Sequence, residues 1–247
     1  MIGILLWKEP QGGIRQRQMT LAEQEILHMR FLRVEIVRGP RTVDAALRRR
    51  TAAAAKRMRK MGVTRVVLPD GFTYAAQLER HGVQPVSTLA LRRRLAADWT
   101  RQALARGETP PGRAKIAVSA AQMSGELVRT VTELALRHRY VALDVPYGGE
   151  ELCRRLRREY GVSLLLGPDK EQLEGADALV LFDPRTDLRQ RNPVVLPLYD
   201  ERAPMMPLSL PPALEERLPE GAGRGQLISA LMEAGVLRPG QVGASRA

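Results

Sequence analysis

Cysteine, aromatic residues and long apolar runs are scarce in this chain, and each scarcity excludes a class of protein. Cys153 is the only cysteine among 247 residues, so no intrachain disulfide can form, and we expect a reducing, cytoplasmic location. Aromatic residues make up only 4% of the chain, which disfavours single-strand nucleic-acid binding by base stacking. Because no uncharged apolar run reaches about 18 residues, we expect neither a transmembrane helix nor a membrane partner.

Recognisable catalytic motifs are also missing. The sequence contains no GxSxG, Walker A, HExxH or CxxC pattern, which lowers the expectation of a hydrolase or an NTPase. His28, His81 and His138 fall at predicted helix ends, where a protonated imidazole suits the helix dipole. No pair of these histidines has the spacing of metal ligands. The sequence therefore predicts no metal site and assigns no catalytic residue.

Arginine is the residue type in excess, and its placement is uneven. The formal net charge is +12, and residues 1–112 contain 21 Lys and Arg against 9 Asp and Glu. Residues 113–247 contain 18 of each, so the whole excess lies in the first half. Such asymmetry indicates an acidic partner. The alternative interpretation is the arginine bias of a GC-rich bacterial genome, spread over solvated helix faces.

The strongest concentration of positive charge lies on the helix predicted over residues 42–62. Candidate contacts to an anion or a nucleic acid on this helix are Arg48, Arg49, Lys56, Arg59 and Lys60. They spread around much of the helix by helical angle and do not form one stripe. No helix-turn-helix, zinc finger or RNA-binding motif accompanies them. Nucleic-acid binding through the basic N-terminal lobe is therefore the third functional alternative.

Strand and helix patterns alternate along the chain, which predicts an α/β protein with a doubly wound, mainly parallel sheet of the Rossmann-like kind. We expect an N-terminal basic α/β lobe over 1–112, a second domain over 113–200, and a Pro-rich arm with a C-terminal helix over 201–247. Prolines and glycines at 107–113 predict the connector between the lobes. Thr20 and Glu23 fit a capping box and predict a short helix there. One long helix is predicted over 89–107.

The stretch KIAVSAAQMSGELVRTV, residues 115–131, predicts a strand, a tight turn and a helix. Small residues occupy the turn, and Ser124 is a candidate helix N-cap. The element order over residues 115–200 resembles the dinucleotide-binding Rossmann domain, whose first turn carries GxGxxG. The three glycine positions of that motif fall on Ser119, Ala121 and Ser124, with Ala120 between the first two and Gly125 immediately after.

The resemblance implies a cofactor site built from this turn and from Asp144. The family holds the ribose with an acid about 20 residues beyond the turn, and Asp144 follows Ser119 by 25 residues. If a nicotinamide cofactor binds, the Asp144 carboxylate implies NAD, because it would repel the 2′-phosphate of NADP. A Cβ at Ala121 would push the pyrophosphate away. Dinucleotide binding, another small anionic or nucleotide ligand, and a scaffold without a ligand all remain open.

Four aspartates stand at predicted strand ends, which is the edge where open α/β sheets bind ligands. They are Asp70, Asp144, Asp183 and Asp200. In the strand order 3-2-1-4-5, Asp144 and Asp183 would lie roughly 10 Å apart, too far to share an ion. Asp183 and Asp200 would be neighbours able to share Mg²⁺. No third ligand is evident, so ordinary strand-to-turn exits are the favoured interpretation.

Together these patterns favour a Rossmann-like ligand-binding or regulatory protein without a recognisable catalytic constellation. An NAD-dependent oxidoreductase with a degenerate phosphate-binding turn is the alternative. A ligand, if there is one, is expected between the lobes, at the C-terminal strand edge beside Ser119–Gly125.

Overall fold

The computed structural model describes residues 1–10, 17–107, 110 and 112–244. Its strands are β1 (Ile2–Lys8), β2 (Met19–Ile26), β3 (Met29–Val37), β4 (Arg65–Val67), β5 (Gln84–Pro85), β6 (Lys115–Ser119), β7 (Tyr140–Asp144), β8 (Leu165–Leu166), β9 (Ala178–Leu181), β10 (Val194–Pro197), β11 (Leu208–Ser209) and β12 (Gly243–Ala244). Its helices are α1 (Asp44–Lys60), α2 (Ala75–Glu79), α3 (Leu89–Arg94), α4 (Ala96–Arg106), α5 (Gly125–Ala135), α6 (Gly149–Tyr160), α7 (Lys170–Glu174), α8 (Pro212–Glu215) and α9 (Arg224–Glu233), with a 3₁₀ turn at Pro239–Gln241. No helix in the described part of the chain combines the length and the apolar character needed to cross a bilayer.

The chain packs as two compact units that are not contiguous in sequence. The first contains Met1–Thr88 and Leu210–Val242, and the second contains Leu89–Ser209 and the chain end from Gly243. Helix α9 joins the first unit because it lies on β4, where the Leu68 amide donates to Gln226 Oε1 at 2.7 Å. Helices α3 and α4 join the second because both pack on α5. These units differ from the segments 1–112, 113–200 and 201–247, and the connector at 107–113 lies partly outside the described residues.

The first unit contains a mixed five-stranded sheet in the order β2-β3-β1-β4-β5. Strand β2 is antiparallel to β3, and the other pairs are parallel. Helix α1 packs its buried residues Leu47, Ala54, Ala55 and Met58 against this sheet. The packing is close at Gly3, where a Cβ would lie 3.1 Å from Met58 Sδ. Gly62, with φ of +76°, follows the helix where the sequence predicts its end.

The helix predicted from Thr20 and Glu23 is wrong, because this segment is strand β2. Each of its residues pairs with β3, and the Thr20 hydroxyl donates to the Glu35 carboxylate at 2.9 Å. Cross-strand pairing thus overrides a local helix signal. His28, expected at a helix end, instead forms the two-residue hairpin turn with Leu27. Both residues have positive φ, 49° and 66°, as a hairpin turn matching the strand twist requires.

Burial raises the pKa of Glu35, but hydrogen bonds from Lys8, Thr20 and Arg33 outweigh it, so that the pKa is lowered overall. Glu35 is therefore a charged group shared by three partners in the first sheet. Its interaction with Lys8 spans 3.0 Å and links β3 to β1.

The single helix predicted over 89–107 is also wrong, since the chain breaks at Leu95, with φ −95° and ψ 4°. Both helices bury side chains. Leu91 and Arg92 are buried in α3, and Trp99 is buried in α4. The Arg92 guanidinium donates to the Ala203 carbonyl at 2.5 Å. This buried cation requires a partner, which the helical pattern alone does not reveal.

The second unit contains a parallel sheet in the order β10-β9-β6-β7-β8. In local numbering this is the 3-2-1-4-5 order expected from the sequence. Right-handed crossovers place α5 and α6 on one face of the sheet and α7 on the other. The α7 face is covered by Leu173, Ala176 and Leu188, which pack on Ala117, Leu179 and Leu181. The predicted α/β class with a Rossmann-like, doubly wound sheet is confirmed.

Candidate functional site

The β6–α5 turn connects the central strand of the second sheet to its first helix. Ser119 is the last residue of β6, and it is buried. Ser124 caps α5, as the sequence predicts, because its Oγ accepts a hydrogen bond from the Leu127 amide at 3.1 Å. Gly125 is the first helical residue, and a Cβ built there would meet open space. Substitution of the glycines has therefore left an ordinary capped strand-turn-helix.

This turn lies at the topological switch point of the sheet. The chain leaves β6 towards β7 and β8, whereas β9 lies on the other side of β6. Ligands of open α/β sheets bind in the crevice at such a point, outside the carboxyl ends of the strands. The residues that follow β6 and β9 therefore decide what the crevice accepts.

Asp183, which follows β9, reaches across the switch point to the turn. Its Oδ2 accepts a hydrogen bond from the Ala121 amide at 2.8 Å. Ala121 stands where the second glycine of the family motif allows a pyrophosphate to approach the backbone. A carboxylate of the protein itself therefore occupies the amide that a phosphate would use.

Arg185 links the other polar groups at this edge. Its Nη1 donates to Ser119 Oγ at 2.7 Å and also to the Asp144 carboxylate. Its Nε and Nη2 donate to the two oxygens of Asp187 at 2.8 Å each. The Ser119 hydroxyl in turn donates to Asp144 at 2.9 Å. Asp144, the expected ribose acid, is thus already engaged by two protein groups.

The ion pairs shift the pKa values in the direction that keeps them charged. The hydrogen bond with Asp187 raises the pKa of Arg185; burial opposes this, and Asp144 adds to it. The hydrogen bond from Arg185 lowers the pKa of Asp187 to about 2. Two carboxylates, those of Asp144 and Asp187, therefore contact the Arg185 guanidinium directly, whereas Asp183 contacts the Ala121 amide.

Two further contacts shape the turn. The Ala120 amide donates to the Asp144 carbonyl at 3.0 Å, which continues the β6–β7 pairing into the turn. Gly148, in the β7–α6 loop, has φ of +82°, and a Cβ there would lie 2.7 Å from Met123 Cγ. The left-handed conformation and the close approach of Met123 both require glycine at position 148.

The structure brings together the predicted residues Ser119, Ala120, Ala121 and Asp144, and it adds Asp183 and Arg185. Sequence reasoning considered Asp183 as a metal ligand or, preferably, as an ordinary strand-to-turn exit, and it missed Arg185 altogether. The segment LFDPR, which follows β9, was the available signal: an Asp and an Arg two residues apart at a strand exit. Asp200 follows the neighbouring strand and accepts from the Arg202 amide at 2.9 Å. Among the described residues, no group of three or more His, Cys, Asp and Glu is placed to hold a metal ion.

The basic residues predicted on α1 lie on the first unit. Arg48 pairs with Asp44 at 2.7 Å, while Arg49, Lys56, Arg59 and Lys60 are exposed. The structure adds a groove of about 680 Å³ between β2 and α1, which Arg17, Arg50 and Arg57 line. Arg50 also donates to the Val37 carbonyl. Three guanidinium groups on one groove were not foreseen, because Arg17 is distant from α1 in sequence.

The carboxyl edge of the first sheet carries aromatic side chains. Trp7, near the end of β1, stacks on Phe72 with ring centroids 5.4 Å apart, and Tyr74 meets both rings edge-on. The Arg38 guanidinium lies 5.2 Å from the Trp7 ring centroid. The Tyr74 hydroxyl donates to Asp44 at 2.7 Å, and this hydrogen bond raises the pKa of Tyr74. The two sheets therefore present different chemistry at equivalent edges.

No protein-family model and no curated protein sequence matches this chain. Among solved structures, an L-tryptophan dehydrogenase from Nostoc punctiforme is similar over 61% of this chain and 44% of its own, with 10% identity and a TM-score of 0.27. A D-isomer specific 2-hydroxyacid dehydrogenase from Lactobacillus delbrueckii ssp. bulgaricus, in its NAD-complexed form, is similar over 62% and 56%, with 13% identity and a TM-score of 0.26. The aligned part spans about half of each of those chains. The fold assignment above rests on the sheet topology itself.

Proposed function

We propose that this protein is a Rossmann-like ligand-binding or regulatory protein in which the β6–α5 turn is a structural element and not a pyrophosphate site. The observation that carries the proposal is the hydrogen bond from the Ala121 amide to the Asp183 carboxylate. A turn whose amide already has an anionic partner does not need a phosphate to satisfy it.

Electrostatics supports this interpretation. A pyrophosphate at the turn would lie beside the Asp183 carboxylate. Two like charges about 4 Å apart repel by roughly 4 kcal/mol at an effective dielectric constant of 20. That repulsion corresponds to about three decades in affinity. A dinucleotide would therefore have to displace Asp183, or bind with its charge opposed.

A ligand at this edge would instead meet the group formed by Ser119, Asp144 and Arg185. The Asp144 carboxylate and the Arg185 guanidinium are 26% and 29% exposed, whereas the Ser119 hydroxyl is buried and hydrogen-bonded to both. Such a set suits a small ligand that combines an anionic group with hydroxyl or amino groups. The proposal is one of binding alone and includes no reaction. It therefore assigns no general base and no nucleophile.

A thermal-shift titration of the purified protein tests the proposal, with NAD, NADP, ATP, S-adenosylmethionine and inorganic phosphate as probes. A ligand at 100 times its dissociation constant adds about 2.7 kcal/mol to stability, which raises the unfolding midpoint of a chain this size by roughly 5–10 °C. We expect no such rise with NAD or NADP. A saturable rise with NAD that Asp144→Ala abolishes would contradict the proposal.

An NAD-dependent oxidoreductase is the second candidate, and a specific observation favours it. Asp144 stands at the end of the second strand of a correctly ordered sheet, beside a capped helix. In this candidate function, the ribose hydroxyls of NAD would bind the Asp144 carboxylate in place of the Arg185 guanidinium. The NAD titration with Asp144→Ala separates the two candidates, because only the oxidoreductase binds NAD through that carboxylate.

A further inference from the structure

We infer that the second unit pairs with a second copy of this chain through the open flank of its parallel sheet. This flank, here called the open face, consists of Tyr140, Ala142 and Leu165 on β7 and β8. The inference does not depend on the proposed function, because the open face lies away from the turn at Ser119–Ser124.

The open face exists because one crossover is too short to cover it. The connection from β8 back to β9 must pass over β7 and β6, yet its helix α7 has only five residues. Leu173 of α7 packs on the β6 and β9 side of the sheet. Beside α7, a groove of about 810 Å³ remains above β7 and β8.

Apolar side chains point into this uncovered region. Tyr140 is 47% exposed and Leu165 is 48% exposed, and alternation along the strands places them on the same face as Ala142. Parallel sheets are ordinarily covered on both faces. A contiguous exposed apolar patch with a polar rim marks an interaction surface.

The charges at the rim favour a second copy over other occupants. Lys115 and Arg139 lie at the amino ends of β6 and β7, whereas Asp169 and Glu171 lie near the start of α7, just beyond the carboxyl end of β8. The Arg139 guanidinium lies 5.4 Å from the Tyr140 ring centroid, and the Asp169 carboxylate caps α7 by accepting from the Gln172 amide. Among the described residues, none of the four has an opposite charge as a salt-bridge partner. A rim that carries positive charge at one end and negative charge at the other is complementary neither to a polyanion nor to a polycation.

Opposite charges can meet across a two-fold axis that lies in the interface, perpendicular to the strands. Such an axis sets the same patch of each copy against the other with the strands in opposite directions. The basic end of one open face then meets the acidic end of its partner, while Tyr140 and Leu165 from both copies fill the centre. The chain thus carries both halves of a complementary interface.

Sedimentation velocity of the full chain from about 1 to 100 µM, a range spanning ordinary homodimer affinities, tests the inference. We expect a concentration-dependent dimer. Tyr140→Asp and Leu165→Glu should each raise the dimer dissociation constant at least tenfold. Matched controls are Tyr160→Asp on α6 and Leu136→Glu at the end of α5, because these residues are exposed to similar extents, 51% and 49%, on other surfaces.

A charge exchange provides a second test that changes no apolar side chain. Because Arg139 lies over the Tyr140 ring, both the Arg139→Glu variant and the double variant lose that contact, and only the charge pairing differs between them. Arg139→Glu and Glu171→Arg should each weaken the dimer, and the double variant should restore it, because the opposite charges then meet in exchanged positions. A wild-type chain that stays monomeric over the whole range would overturn the inference. Equal effects of the open-face variants and their controls, or a double variant no stronger than the single ones, would do the same.

Discussion

The carboxyl edges of the two sheets show how one topology supports two different chemistries. In each unit a central strand, β1 or β6, is flanked by parallel strands on both sides. The first edge gathers Trp7, Phe72 and Tyr74 under the Arg38 guanidinium. At the second edge Arg185 pairs with Asp144, and Asp183 accepts a hydrogen bond from the Ala121 amide. The fold thus determines where an edge site lies, and the side chains determine what it accepts.

The two units also differ in how their charges are used. The arginines of the groove beside α1 face solvent or one carbonyl, and they leave a positive surface. At the second edge, the single guanidinium is saturated by carboxylates and a hydroxyl. Positive charge beside α1 is therefore available to a partner, whereas the positive charge of Arg185 serves internal structure.

The largest effect is expected from removing the charge of Asp183. This change would make the second edge able to accept a phosphate group and so remove its difference from an ordinary dinucleotide site. Asp183→Asn keeps an oxygen for the Ala121 amide but removes the negative charge. Relief of a repulsion of roughly 4 kcal/mol should raise NAD affinity by up to three decades, measured by calorimetric titration. Asp200→Asn at the neighbouring strand end is the control. If Asp183→Asn binds NAD no better than wild type, charge at Asp183 is not what closes the turn.

Removing the arginine at each edge should destabilise the protein by different amounts, which tests the difference between the two edges. Arg185→Ala leaves Asp187 without its guanidinium partner and Asp144 with the Ser119 hydroxyl alone. It should cost about 1.5–3 kcal/mol, the range for hydrogen bonds to charged groups. Arg38→Ala removes an exposed cation–π contact and should cost only about 0.5–1 kcal/mol. Urea unfolding measures both. Equal losses would show that the Arg185 network contributes no more than a surface contact.

Salt dependence tests whether the basic groove of the first unit binds a polyanion, the third function suggested by the sequence. If Arg17, Arg50 and Arg57 neutralise three phosphates, the log–log slope of duplex DNA affinity against salt should be about −3. Arg57→Ala should reduce the magnitude of that slope by about 1. Arg158→Ala, an exposed arginine on α6 of the second unit, should leave the slope unchanged. Absence of binding at low salt would remove this function.

The smallest expected effect is the loss of stability at low pH that protonation of Asp187 causes. The hydrogen bond from Arg185 lowers the pKa of Asp187 to about 2 from 3.8, so the folded state binds this proton less tightly than the unfolded chain. The resulting stabilisation is present above about pH 4 and is lost as the pH falls towards 2. Asp187→Asn should flatten the stability profile between those values, as thermal unfolding across the range will show. An unchanged profile would mean that the Arg185–Asp187 pair does not persist in solution.

Local patterns by themselves determined most elements of the second unit. The strands and helices from β6 to β10, the order of the sheet and the Ser124 cap follow from apolar periodicity, turn residues and the handedness of crossovers. These signals act over a few residues or one strand-helix-strand unit, so the sequence displays them directly. The same reasoning located the edge at which Ser119 and Asp144 meet.

Only the tertiary structure decided which side chains occupy that edge and which local sequence patterns are overridden. Asp183 lies 62 residues from Ala121, and Arg185 lies 66 residues from Ser119, so no local pattern indicates that they meet. The segment Met19–Ile26 carries a helix-capping pattern, yet it becomes a strand because β3 supplies a partner for every backbone position. In both cases the deciding free energy comes from contacts that exist only once distant segments are packed together.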